Sequence, residues 1–276
     1  MRITPTHDHM LEMTSAWTGD RFDDGRPRVP DRTLERLRAA TTEHAWWVLS
    51  EAGYGSQFSG GWRQTHPGQA LVGRCVTSQF LPRRPDYDAA TVAAGAREGH
   101  HQGGQQNSWI IESLRQGDVM VTDIFGKIKD GTVLGDNLGT AVAARTGVGA
   151  VIDGGVRDYT GLTALDARTN IFFRDTDPSA IEQVTLAGIN QPILIGGVTV
   201  LPGDIALGTP SGVIFIPPQL AEEVAEYSED VRVRDVFGKT RLAEGRYTSA
   251  DVDVAVWPDH IEEDFRAWKE ARSAEV

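Results

Sequence analysis

Apolar residues along the chain recur with different periods, and each period predicts an element. Residues 1 to 30 are polar, with Pro5, Pro27, Pro30 and the charged run "GDRFDDGRPR", and predict an extension or arm. From Asp31, "DRTLERLRAATTEHAWWVLSEAGYG" has an Asp cap, Leu34 and Leu37 at helical spacing and Gly53 as a stop, which predicts a helix. "PGQALVGRCVTSQFLP" alternates after a Pro-Gly turn and predicts a strand. "DYDAATVAAGAREGHHQGGQQNSWIIESLR" predicts at least one helix, broken around "GHHQGGQQ". "GDVMVTDIF" predicts a short strand, and Gly126 to Gly135 a loop. Asp136 is a natural helix cap, followed by Leu138, Ala141, Val142 and Arg145 at helical spacing and by Gly147 as a stop. "VGAVID" predicts a buried strand, "GGVRD" a loop, "YTGLTALDAR" a short helix and "NIFF" another strand. Strand, helix, strand, helix, strand is the pattern of a parallel α/β layer.

The pattern then changes. "PILIGGVTVLPGDIALGTPSGVIFIPP" has short apolar runs between Gly, Pro and Ser turns and leaves no room for helices, which predicts antiparallel β structure. "QLAEEVAEYSEDVRVRDVF" predicts an acidic amphipathic helix. Pro67-Gly68, Gln116-Gly117-Asp118 and Pro202-Gly203-Asp204 each precede a strand and predict similar β corners. The expected organisation is an arm (1–30), an α/β domain (31–245) and a C-terminal tail (246–276).

Composition changes this picture little. The chain has 276 residues, enough for one large domain with extensions, and its 40% hydrophobic content is that of a folded protein. A formal net charge of −12 argues against nucleic-acid or anionic-membrane partners, which need a basic footprint. The single cysteine, Cys75, excludes an internal disulfide and fits a reducing compartment. No secretory leader and no run long and apolar enough to span a bilayer is seen, so the expected location is the cytoplasm.

The candidate chemistry lies at two ends of one strand–helix–strand unit. Ligands of parallel α/β layers bind just beyond the carboxyl ends of the strands. Arg157 and Asp158 follow the strand "VGAVID", and Asp136 opens the preceding helix, twenty residues before Arg157. One helix and one return strand fill that distance and bring the two ends to the same edge. Arg157 offers a planar fork for a carboxylate. Asp158 and Asp136 offer hard oxygens for Mg2+ or Mn2+. Gly135 and the backbone N–H groups of Asn137 and Leu138 offer an anion seat at the helix start. Such a set suits a 2-keto acid and stabilisation of an enolate, hence retro-aldol cleavage or decarboxylation.

"GDNLGTAVAARTGVGAVIDGGVRD" resembles the RraA-like family, which includes the metal-dependent 4-hydroxy-4-methyl-2-oxoglutarate aldolases. The aldolase signature is an Asp, twenty residues, then Arg-Asp, and Asp136, Arg157 and Asp158 match it; "GGVTVLPGDIALGTPSGVIFIP" is similar to a later family segment. The resemblance covers roughly residues 65 to 225. It implies an α/β fold, the swivelling β/β/α domain, here with N- and C-terminal helical extensions. It implies trimers or hexamers with sites at subunit contacts. It also implies that Asp158 ligates Mg2+ or Mn2+, that Arg157 holds the pyruvyl carboxylate, and that Asp136 orients a metal-bound water that moves the proton. The family has a non-enzymatic branch as well, protein inhibitors of ribonuclease E, in which the final Asp can be replaced. Asp158 is present here and favours the enzyme. The expected function is thus cleavage of a 4-hydroxy-2-keto acid to pyruvate and a carbonyl compound, with oxaloacetate decarboxylation alongside. The alternatives are a protein-binding regulator, or a related metal-assisted hydration or condensation.

Other residues carry weaker signals. Asp123 follows an apolar strand and is as well suited to a structural hydrogen bond as to the crevice. Lys127 and Lys129 read as solvated loop charges rather than gates. His100-His101 lacks a third ligand at metal spacing and reads as a loop or subunit contact. Cys75 reads as an inert core thiol, and Trp46-Trp47 by default as core packing. The glycines of "GVGAVIDGG" precede the apolar run rather than follow it, which excludes a dinucleotide site. Neither a P-loop nor a hydrolase nucleophile elbow is present.

Overall fold

A computed structural model describes residues 1–273. These divide into two compact units, residues 1–225 and a C-terminal unit from residue 226 onward; the last three residues of the expected tail lie outside the described residues. The strands, in chain order, are β1 (Phe58–Ser59), β2 (Arg63–Gln64), β3 (Leu71–Pro82), β4 (Asp118–Asp123), β5 (Thr132–Leu134), β6 (Gly149–Val156), β7 (Asn170–Thr176), β8 (Val184–Ile189), β9 (Ile193–Ile195), β10 (Val198–Val200), β11 (Ile205–Thr209) and β12 (Gly212–Ile216). The helices are α1 (His7–Met13), α2 (Asp31–Leu37), α3 (Thr42–Glu51), α4 (Pro85–Arg97), α5 (Asn107–Ser113), α6 (Asp136–Thr146), α7 (Tyr159–Thr163), α8 (Ala221–Ala243), α9 (Ser249–Val252) and α10 (Asp259–Ser273).

The expected parallel layer is the centre of the first unit. Its main sheet runs β1-β12-β11-β3-β4-β6-β7-β2, with β5 added to β6 and β8 to β3. The pairs β3–β4, β4–β6, β6–β7 and β5–β6 are parallel, and those on the flanks are antiparallel. β3 lies between β11 and β4, so eight successive positions from Leu71 to Ser78 are buried and both faces of the strand are covered. One face packs Val76, Met120, Ile152 and Phe173 against Val142 of α6 and Leu162 of α7. The other packs Cys75, Val121, Val151 and Phe172 against Ile193, Ile195, Val198 and Val200 of the β9–β10 hairpin.

Several expectations change. The single helix expected from Asp31 is two. It breaks after Leu37, and Thr41 restarts it by accepting the His44 N–H at 3.2 Å in a capping box. Asp31 is the first residue of α2 rather than its cap, and its carboxylate pairs with the buried Arg74. The expected loop between Gly126 and Gly135 contains β5. β8 lies where the pattern predicts no element. The polar arm belongs to the body of the first unit. Ile3 and Met10 are core residues, and Arg26 makes a fully buried fork to Asp118, at 2.9 Å to Oδ1 and 3.1 Å to Oδ2. Trp46 and Trp47 are 47% and 50% exposed, so the core reading fails for both. Cys75 is fully buried, as expected of an inert thiol, and burial pushes it well above the usual thiol range.

The C-terminal unit has its own aromatic centre. Phe237 is fully buried, with Trp257, Phe265 and Trp268 at centroid distances of 5.3, 5.2 and 5.6 Å. Arg241 forks to Asp264 at 2.8 and 2.9 Å beside them. Among the described residues no helix is long and apolar enough to cross a membrane.

Candidate active site

The short parallel pair β5–β6 builds the site. Leu134 registers with Val156, so the residues that follow each strand emerge side by side. Arg157 N–H donates to Leu134 O at 2.9 Å and continues that pairing one residue past the strand. Gly135 thereby meets Arg157 and Asp158 at the carboxyl edge of the layer, with Asp136 the next residue in the chain.

Gly135, not Asp136, is the cap of α6; Asp136 is the first helical residue. Its Oδ1 accepts the Asn137 N–H at 2.8 Å, so that donor is engaged within the turn. The acid nevertheless sits at the positive end of the helix dipole. Leu138 packs its side chain on the core, so it can meet a ligand only through its backbone. Asp158 has a left-handed backbone, φ 53°, and caps α7, where its carbonyl accepts Leu162 N–H at 3.0 Å. Arg157 and Asp158 are 44% and 47% exposed, and Nε lies 3.5 Å from Oδ2, a loose pair that leaves most of both groups for a ligand.

At two glycines the backbone passes close against the site side chains. A Cβ on Gly135 would stand 2.5 Å from Asp158 Oδ2 and 3.0 Å from Arg157 Nε. A Cβ on Gly161 would stand 2.6 Å from the Cβ of Asp136 and 2.8 Å from its Oδ2. Beyond Asp158, the Tyr159 hydroxyl donates to Gln64 O at 3.3 Å, and the Arg63 guanidinium, paired with Asp175, lies 5.7 Å from the Tyr159 ring.

The other candidates take structural places. Asp123 is 7% exposed, accepts Gln79 Nε2 and Phe125 N–H, both at 2.8 Å, and is pushed above the usual carboxylate range by burial. It registers with Asp153 of β6, an acid that the sequence pattern hides inside an apolar strand. Asp153 accepts Arg174 Nε at 2.6 Å and Gly196 N–H at 2.9 Å, while Arg174 stacks 3.5 Å over Trp62. Only the register of β4, β6 and β7 reveals this group. Lys127 is not a freely solvated charge, because its Nζ donates to Glu182 O at 2.7 Å and pins the loop. His100 stacks on Trp109 at 5.1 Å, and burial lowers its basicity.

No three His, Cys, Asp or Glu side chains gather as a metal cage among the described residues. Asp158 and Asp136 still suit Mg2+ or Mn2+. These hard cations are commonly held by one or two carboxylates, with water and substrate oxygens filling the remaining positions. Asp158 is 47% exposed and Asp136 partly exposed, so both carboxylates are open to such an ion.

This layered fold, with an acid, a guanidinium and a second acid at one strand edge, defines a class. A family profile described as "RraA-like: Aldolase/RraA" matches residues 40–215, well over half of the chain, and the protein belongs to that family. Protein DlpA of Legionella pneumophila is 31% identical over 182 residues, which cover 64% of this chain and 26% of that protein. A Halalkalibacterium halodurans protein named "Putative 4-hydroxy-4-methyl-2-oxoglutarate aldolase" is 34% identical over 120 residues, 43% of this chain and 55% of that one. The matched segments thus span only part of these relatives. Among solved structures, Streptomyces coelicolor RraAS2, described as an unusual member of the RNase ES inhibitor RraA protein family, has a TM-score of 0.63 at 22% identity, covering 78% of this chain and 99% of that one. An uncharacterised Pseudomonas syringae protein gives 0.64 at 23% identity, covering 83% and 100%. These two likenesses concern the fold.

Proposed function

We propose that this protein is a divalent-metal-dependent carbon–carbon lyase. Its substrate would be a 4-hydroxy-2-keto acid, cleaved to pyruvate and a carbonyl compound, with decarboxylation of oxaloacetate as a related activity. The observation that supports the reading is the β5–β6 pairing, which brings the start of α6 and the Arg157-Asp158 turn to one strand edge. The aldolase name of a relative supports it.

In this reading Arg157 forks onto the C1 carboxylate of the substrate. Asp158, with Asp136 nearby, would hold Mg2+ or Mn2+, which supplies Lewis-acid polarisation of the 2-keto oxygen. Asp136 holds or moves the proton. In the cleavage the C4 hydroxyl loses its proton and the C4 oxygen becomes a carbonyl. The C3–C4 bond breaks, its electron pair passes to C3, and the pyruvate enolate so formed takes a proton there. Gly135 and Gly161 let the backbone lie close against both acids and hold them in place. A homotrimer or homohexamer would cover the half-exposed Arg157 and Asp158 and exclude water from them.

The test is pyruvate release from 4-hydroxy-4-methyl-2-oxoglutarate and from oxaloacetate, with Mg2+, with Mn2+ and with excess chelator. Metal-dependent release that Asp158→Ala abolishes and Arg157→Ala lowers by weakening substrate binding is the expected result. Full activity in either folded variant overturns the assignment. Folded wild type that neither binds Mn2+ nor releases pyruvate points to the protein-binding regulator instead.

A further inference from the structure

Two of the β corners are built alike, and they differ in one respect. At Gly117-Asp118 the glycine has φ 80°, and Asp118 Oδ2 accepts the N–H of Arg115, three residues back, at 2.9 Å. At Gly203-Asp204 the glycine has φ 88°, and Asp204 Oδ2 accepts the N–H of Leu201, again three residues back, at 2.8 Å. The two corners flank the start of β3. Arg74 registers with Asp118, and Cys75 N–H donates to Asp204 O at 2.7 Å. Asp118 is neutralised by the fork from Arg26. Asp204 is 3% exposed and has no side-chain cation or other hydrogen bond to its carboxyl among the described residues.

Asp204 does not face solid core. It lines a cavity of about 330 Å3 whose walls include Met13, Tyr54, Gln57, Leu201, Pro217 and Gln219. That volume is within the range of small-molecule sites. The apolar walls suit an alkyl chain, while Tyr54, Gln57 and Gln219 add polar groups to the lining. A carboxyl buried without a partner is costly, and a bound cation removes that cost. The neighbouring corner shows which chemistry this backbone accommodates.

We propose that the cavity at Asp204 is a binding site for a small organic cation, an alkyl chain ending in a guanidinium or primary ammonium group, placed as Arg26 is on Asp118. The site is separate from Asp136, Arg157 and Asp158 and does not depend on the lyase reading.

The test uses butylguanidinium and its uncharged near-isostere butylurea, titrated calorimetrically into the full chain at about pH 8. Butylguanidinium should bind saturably at one site and butylurea at least about tenfold more weakly. Asp204→Asn should weaken the cation by a similar factor. Ala16→Trp, at an exposed wall position, should block binding without touching Asp204 and serves as the readout if Asp204→Asn fails to fold. Asp158→Ala should leave binding unchanged. No saturable binding by folded wild type up to about 10 mM, equal binding of butylurea, or undiminished binding in the folded variants overturns the proposal.

Discussion

Gly135 and Asp158 approach so closely that a single methyl group would fill the space between them, 2.5 Å from Oδ2. The backbone of Gly135, at φ −114°, is one that alanine can adopt. The atoms a methyl would meet belong to the movable ends of Asp158 and Arg157. Gly135→Ala should therefore cost little stability, under about 1 kcal/mol, while displacing both groups. The expected outcome is a turnover loss of about tenfold or more with an unchanged urea midpoint, since a misplacement near 1 Å is enough for such losses. A stability loss that accounts for the activity loss would contradict this.

Arg157 and Asp136 should separate in steady-state kinetics. Arg157→Lys keeps the charge and loses the planar fork, so KM for a 2-keto acid should rise about tenfold or more with Mn2+ binding retained. Asp136→Asn keeps the shape and removes the base, so kcat should fall with KM nearly unchanged. The reverse split would exchange their roles.

The fork from Arg26 to Asp118 is the deepest ion pair of the first unit, both side chains being fully buried. Removing one partner strands the other charge. Arg26→Met should cost about 3–5 kcal/mol in denaturant unfolding, and adding Asp118→Asn should recover part of that loss. If the double variant is no more stable than the single one, the pair is not what anchors the arm.

Asp204 makes stability depend on pH. Burial pushes its carboxyl up to about 7, from an ordinary value of 3.8. The folded state therefore holds this proton more tightly than the unfolded chain does. Its contribution is fully present below about pH 3.8 and is lost as pH rises through about 7, with about 4 kcal/mol as the full linkage. Neighbouring Cys75 is held neutral by burial, and Asp118 is paired with Arg26. Asp204→Asn should flatten the fall in stability between about pH 4 and 7, measured by urea midpoints. A wild-type curve that the variant does not flatten would place the titrating group elsewhere.

Local chemistry makes much of this protein legible from sequence. The α6 and β6 segments follow from Leu138, Val142 and the run "VGAVID", and the twenty-residue spacing places Asp136 with Arg157 because one helix and one parallel strand return the chain to the same edge. Turn glycines mark the corners at Gly117 and Gly203. The break between α2 and α3 is less visible, since a capping Thr41 inside a helical pattern competes with a continuous periodicity.

What sequence alone determined is therefore the class of each element and the chemical inventory of the site, because both rest on contacts between residues near in the chain or on one α/β repeat. What only the tertiary structure decided is which groups lose their water. Asp118, Asp123, Asp153 and Asp204 are all strand or corner acids in the sequence. Register gives Asp118 an arginine from the arm, gives Asp153 an arginine from β7, gives Asp123 an amide from β3, and leaves Asp204 facing a cavity. Those partners lie far along the chain or on another strand, and no local pattern encodes the packing that selects them.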